Sequence, residues 1–166
     1  LKELIPNEFV DIHSHILPGL DDGAKNINES LDLITGMKEM GFSKIICTPH
    51  TYPGLYNNTN ETIENGKKKL LESSKLNVSI SCASEYMIDA YLIEKAKKKD
   101  ILTLHKNFVL IETGFLFQNK NIYNVIFEVI LNGYRPILAH PERYLYFEDN
   151  FNEFWKLKKC GCKFQI

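Results

Sequence analysis

Short apolar runs alternate with helix-periodic stretches along the whole chain. Strand-like runs rich in β-branched and apolar side chains fall at 9–13, 44–48, 78–84, 108–112, 136–139 and 163–166. Between them, apolar residues recur at helical spacing: Leu31, Ile34, Met37 and Met40; Ile63, Leu70 and Leu71; Ile122, Val125, Ile126, Val129 and Ile130; Phe151, Phe154 and Leu157. A period of two that keeps giving way to one near 3.6, at intervals of roughly 25–35 residues, predicts an α/β chain of about six β-α units around a parallel sheet. Helix punctuation fits this reading. Asn28 is predicted to cap the first helix and Gly41 to stop it; Asn58 and Glu61 open the second, which runs to about Leu76; Asp89 caps a short third; Gly133 and Gly161 end the last two. No linker or low-complexity tract interrupts residues 1–166, so a single domain is expected.

Composition narrows the function classes. With 166 residues, 44% hydrophobic and 25% charged, the chain can bury a core. A formal net charge of −1 without a long Lys/Arg run argues against nucleic-acid or membrane-surface binding, since tracking phosphates needs a basic stripe. Lys67–Lys69 and Lys97–Lys99 read as solvated helix faces. Cys47 and Cys82 lie in apolar runs and read as small buried hydrophobes, and Cys160-Gly161-Cys162 lacks the gap of a zinc knuckle or redox motif. No signal peptide or membrane-spanning apolar run is present, so a reducing cytoplasm is the expected compartment. The sequence opens on Leu1 and closes on Lys163-Phe164-Gln165-Ile166, which reads as a strand just begun; a piece of a longer chain is expected.

The chemistry-bearing residues follow the strand pattern. Five consecutive predicted strands end in a metal-ligand type: His13 and His15, His50, Glu85, Glu112 and His140. In parallel α/β folds the carboxyl ends of strands gather on one rim, where chemistry is built. Each residue alone has an ordinary structural reading: a solvent-facing histidine, a satisfied core histidine, or a rim carboxylate paired with a lysine. Glu112, however, follows the apolar run Val109-Leu110-Ile111, where a lone carboxylate is costly, and divalent cations would satisfy the whole set together. The donors are N and O only, which disfavours a closed structural zinc site and suits manganese, zinc or iron with open positions. Asp21 and Asp22 offer a further oxygen ligand or are plain turn residues. His105 precedes a strand and is expected to have no role. The aromatic residues Tyr52, Tyr56, Phe115, Phe117 and Tyr144 lie after strand ends and suit either a phenyl-binding pocket or ordinary packing. No Cys is followed by Arg at the sixth position, which excludes a cysteine phosphatase, and no P-loop or dinucleotide fingerprint is present.

The segments DIHSHILPGLDDG, ICTPH, ASEY, LIET and LAHPERY, in this order, resemble the PHP (polymerase and histidinol phosphatase) superfamily, and specifically the bacterial metal-dependent protein-tyrosine phosphatases of capsule and exopolysaccharide clusters. The resemblance covers nearly everything from Val10 onward. It implies a distorted, TIM-like β/α barrel, incomplete as far as this sequence runs, with up to three divalent ions, usually manganese. Carried over by motif, His13 and His15 would bind one metal, Glu85 would bridge it to a second completed by Glu112 and His140, and Asp22 (rather than Asp21) with His50 would hold the third. Arg143 matches the family's phosphate-contacting arginine. The family's remaining Asp-x-His ligands lie on a later strand end, and no second Asp-x-His occurs here. The implied partner is a phosphotyrosyl protein, a bacterial tyrosine kinase above all, with no nucleic acid and no membrane insertion, and with oligomers allowed. The rival expectations are a PHP phosphatase for a small metabolite such as histidinol phosphate, and a non-catalytic metal-binding or scaffold domain.

Overall fold

The computed structural model describes residues 9–73, 77–148 and 150–166, which fall into two compact units divided between Ser84 and Glu85. In the first unit the order is β1 (Phe9–Ser14), α1 (Ile27–Met40), β2 (Phe42–Cys47), a two-residue β3 (His50–Thr51), α2 (Asn60–Ser73) and β4 (Ser79–Cys82). β1, β2 and β4 pair side by side in that order, all parallel. The register puts Asp11 beside Ile45 and Ile45 beside Ile80, then slips so that Ser14 meets Cys47, which itself lies beside Cys82. Ser14 and Thr48 lock these strand ends: each backbone N–H donates to the other residue, to Thr48 Oγ1 at 3.0 Å and to the Ser14 carbonyl at 2.8 Å. Ile34 of α1, Ile63 and Leu70 of α2, and Ile45 and Ile46 of β2 are buried.

Helix starts depart from the sequence expectation for local reasons. α1 is capped by Asn26, not Asn28: the Asn26 side chain accepts from Glu29 N at 3.0 Å, while the Glu29 carboxylate takes Lys25 N at 2.9 Å. Of these two asparagines only Asn26 has a glutamate three residues on, the spacing a capping box needs. α2 is opened by Thr59 and Thr62, which exchange backbone-to-hydroxyl bonds of 2.8 and 3.2 Å. Asn58 instead donates its amide to the carbonyls of Leu20 and His50, both at 2.8 Å. Leu71, expected inside, is exposed, and the expected end of α2 near Leu76 lies outside the described residues. Gly41, at φ 108°, stops α1 as its position predicts.

The second unit runs β5 (Glu85–Met87), α3 (Ala90–Lys98), β6 (Phe108–Glu112), α4 (Ile122–Leu131), β7 (Arg135–Ala139), α5 (Phe151–Lys159) and β8 (Lys163–Gln165). β5, β6, β7 and β8 pair in that order, again all parallel. The expected run 78–84 is therefore the strand 79–82, and Glu85 opens a new strand instead of following the end of the old one. The first sheet stops because, after Ala83 N reaches the Cys47 carbonyl, Ser84 turns its hydroxyl onto the Pro49 carbonyl at 2.8 Å. Ile122, Val125, Ile126 and Val129 of α4 pack with Tyr86, Ile111, Leu138, Tyr144, Phe147 and Leu157 in one core. Asp89 caps α3 through Leu92 N at 2.9 Å, as expected. Phe151, expected to face inward, is 74% exposed, leaving Phe154 and Leu157 to seat α5.

Both units are thus α/β with parallel strands, as the hydrophobic pattern predicts. Cys47 and Cys162 are buried, Cys82 is half-buried and Cys160 is exposed; all four are free thiols. Among the described residues no helix is long and apolar enough to cross a membrane.

Candidate functional site

In the first unit β1 delivers His13 and the residue after its end, His15, on one side of the chain, as a two-residue period requires. Their Nε2 atoms lie 3.1 Å apart. His50, at the start of β3, brings its ring centroid to 4.5 Å from that of His15, and Tyr56 stacks on His50 at 5.2 Å and 12°. The loop between β1 and α1 supplies the carboxylates. Asp22 holds Oδ1 3.4 Å from His50 Nε2, and donor atoms of His15, Asp21, Asp22 and His50 all lie within 4.8 Å of one another.

Asp21 organises this cluster. Its side chain is fully buried and accepts from His15 Nδ1 at 2.6 Å, His50 N at 2.9 Å and Gly23 N at 3.0 Å. Burial pushes its carboxyl up, but the bonds from His15, Gly23 and His50 outweigh that and hold it below the usual range. A carboxylate on Nδ1 makes that nitrogen the donor and leaves the Nε2 lone pair of His15 for a cation, the arrangement that orients histidine ligands elsewhere. Gly23 makes the approach feasible: a Cβ there would stand 1.9 Å from the His15 carbonyl oxygen and 2.5 Å from the His15 Cβ. Asp11, beneath His13, is raised by burial. From the residues alone Asp21 and Asp22 each suit an oxygen ligand or a plain turn, and the family resemblance prefers Asp22. The local signal for Asp21 is the Asp-Asp-Gly turn, which supplies Gly23 N; the other two partners, His15 Nδ1 and His50 N, come from outside that turn.

In the second unit Glu85 is wholly buried and accepts from His140 Nε2 at 2.9 Å. Glu112, 4% exposed, closes β6; with Glu85 aligned to Leu110, it stands one strand over and two residues further along. Burial pushes the Tyr144 phenol well up, and the charges of Glu112 and Glu85 add to the shift. His140 follows β7 in a left-handed conformation, φ 33° and ψ 54°, uncommon for a residue with a side chain. Pro141, which disfavours a right-handed helical residue before it, then opens the 3-10 turn Pro141–Arg143. Arg143 is exposed and lies over Phe115, Cζ to centroid 4.8 Å. Tyr144, a candidate pocket wall, is core: it is 1% exposed, and its hydroxyl donates to the Ala139 carbonyl at 3.0 Å and accepts from Thr113 N at 3.3 Å. Phe117 is 82% exposed, Tyr52 pairs by backbone with Tyr56, and His105 is exposed on its loop.

The first unit's donors are imidazole and carboxylate without sulfur, a set that suits a divalent cation. Residues 9–166 match the family model for capsular polysaccharide synthesis proteins, CpsB/CapC. The chain belongs to the CpsB/CapC family. Relatives in it include CapC of Staphylococcus aureus, 33% identical over 95% of this chain and 64% of its own length. The tyrosine-protein phosphatase CpsB of Streptococcus pneumoniae is 31% identical over 95% of this chain and 67% of its own length. The tyrosine-protein phosphatase YwqE of Bacillus subtilis is 29% identical over 95% and 64%. A crystal structure from work on YwqE of Bacillus subtilis and CpsB of Streptococcus pneumoniae, described there as metal-dependent tyrosine phosphatases, superposes with a TM-score of 0.81 at 28% identity, covering 95% of this chain and 66% of that one. The chain spans about two thirds of the length of the CpsB/CapC relatives it matches.

Proposed function

We propose that this chain works as a metal-dependent phosphoesterase domain, a distorted β/α barrel acting on phosphotyrosine of a protein substrate, a bacterial tyrosine kinase above all, in the cytoplasm. The observation that carries the reading is the gathering of His15, Asp21, Asp22 and His50, all N and O donors, within 4.8 Å. In this reading His13, His15, Asp22, His50, Glu85, Glu112 and His140 bind divalent ions, manganese first with zinc and iron as alternatives, and Arg143 binds the phosphoryl group. Such ions, when bound, neutralise phosphoryl charge and make water a nucleophile near neutral pH.

The chain's own residues do the rest. Asp21 fixes the His15 tautomer through Nδ1 and at the same time pins the His50 backbone, so two donors are held before any ion arrives. Glu85 orients His140. Arg143 offers a planar fork of N–H donors that matches two phosphoryl oxygens, which a lysine cannot. Only two arginines occur beside 18 lysines in the sequence, so an arginine at this turn is a distinctive choice.

The test is hydrolysis of a phosphotyrosyl peptide by protein whose metal content has been measured. Manganese stimulation, loss in His13→Ala and indifference to thiol alkylation are expected. Faster turnover of histidinol phosphate than of the peptide would replace the protein substrate by a metabolite. Fewer than two ions per chain together with no hydrolysis would leave a scaffold.

A further inference from the structure

We propose that Phe115 is the positioning residue for Arg143. The guanidinium lies 4.8 Å from the centre of the Phe115 ring, and among the described residues no carboxylate forms an ion pair with it. The difference matters chemically. A carboxylate partner would occupy the N–H donors and cancel the charge, whereas an aromatic face attracts the cation from above and leaves the donors at the guanidinium edge open to an anion.

The platform itself is anchored. Phe115 stacks on Tyr144 at 5.6 Å and 27° and lies 5.7 Å from the His140 ring. Tyr144 is buried and fastened at its hydroxyl to the ends of β6 and β7, and Leu145 N donates to the Phe115 carbonyl at 3.1 Å. From the other side, Arg143 N donates to the His140 carbonyl at 2.9 Å. Ring and guanidinium therefore ride on two segments that are each fixed to the same buried tyrosine neighbourhood. Phe115 remains 39% exposed, so one part of the ring stays open to the guanidinium instead of being shut into the core. The molecule carries its own control. Arg135, the only other arginine, lies over Phe108 at 5.6 Å, at the opposite end of β7 from His140.

This inference rests on Arg143 being the phosphoryl-binding group, and the experiment separates the two. With only two arginines, the arginine Nε–H region of a proton–nitrogen spectrum holds two signals, assigned by Arg135→Lys and Arg143→Lys. Zinc-loaded protein, which is diamagnetic, is titrated with inorganic phosphate. In the wild type the Arg143 signal should start ring-shifted and move on titration while that of Arg135 stays still. Phe115→Leu should abolish the initial shift and weaken phosphate binding about two- to fivefold, the scale of one exposed cation–π contact. Phe115→Tyr and Phe115→Trp should restore both, and the amide spectrum reports whether each variant is folded. A wild-type Arg143 signal indifferent to phosphate overturns the phosphoryl role itself. A signal that moves equally well in Phe115→Leu, or a Phe115→Trp no better than Phe115→Leu, leaves that role standing and overturns the assignment of Phe115.

Discussion

The two units fix their polar side chains by different means. Among the described residues of the first unit, no aromatic ring is buried; the core is aliphatic, and the histidines are held by hydrogen bonds from loops, with Asp21 at the centre and Gly23 against the His15 backbone. In the second unit the polar groups grow out of an aromatic core in which Tyr86, Tyr144 and Phe147 are buried, and one phenol ties two strand ends together. The lesson is that one kind of chemistry can be scaffolded either by backbone approach or by packing, and the two should fail differently. The first should lose ligand binding before stability, the second stability before ligand binding.

The largest effect is expected from Gly23→Ala. A Cβ 1.9 Å from a carbonyl oxygen cannot be accommodated without moving the loop off β1, so measurable binding of cobalt or manganese by the His15, Asp21, Asp22 and His50 cluster should disappear, read by the visible spectrum of the cobalt form. If binding survives, backbone approach is not what assembles that cluster. Next is Ile126→Ala in the second core, where deleting a fully buried side chain should cost about 2–5 kcal/mol in urea unfolding. A loss below 1 kcal/mol, on the order of a surface change, would remove packing as the distinguishing support of this unit. Asp21→Asn should lower metal affinity about ten- to a hundredfold, because the carboxylate charge beside His15 Nδ1 goes, and should also cost about 1–3 kcal/mol in stability, because its amide nitrogen must face an N–H that the carboxylate accepted. Unchanged metal affinity would break the contrast. Smallest is Asn26→Ala, which removes the α1 cap without touching any of the four donors and should cost about 1 kcal/mol while metal affinity stays put.

Much of this was legible in the sequence, and the reason differs by element. Residues 108–112 read as a strand to the residue, because Val109, Leu110 and Ile111 are buried on both faces of a parallel sheet and a continuous apolar run is what such a strand requires. β3 and β5 were invisible, having two and three residues and no room for a period. Asn26 lost to Asn28 because cap preference alone does not discriminate between two nearby asparagines; Glu29 does. His13 and His15 could be singled out as candidate donors from their place at the end of a strand; His50, expected at the end of the second strand, instead opens the short β3. The work of Asp21 could not, because its bonds to His15 Nδ1 and His50 N are set by folding, and the importance of Gly23 shows only when an atom is added to it. Tyr144 could not be decided between pocket wall and packing for the same kind of reason: nothing local says that its hydroxyl is spoken for by Thr113 and Ala139.

For anyone scanning other genomes, the glycine of Asp-Asp-Gly carries information its acidic neighbours do not. Paired aspartates decorate countless surface turns, yet only a residue lacking a side chain lets this one lie flush on a His-x-His strand. A chain with both histidines and both aspartates but alanine in that place would own every donor and no way to bring them together.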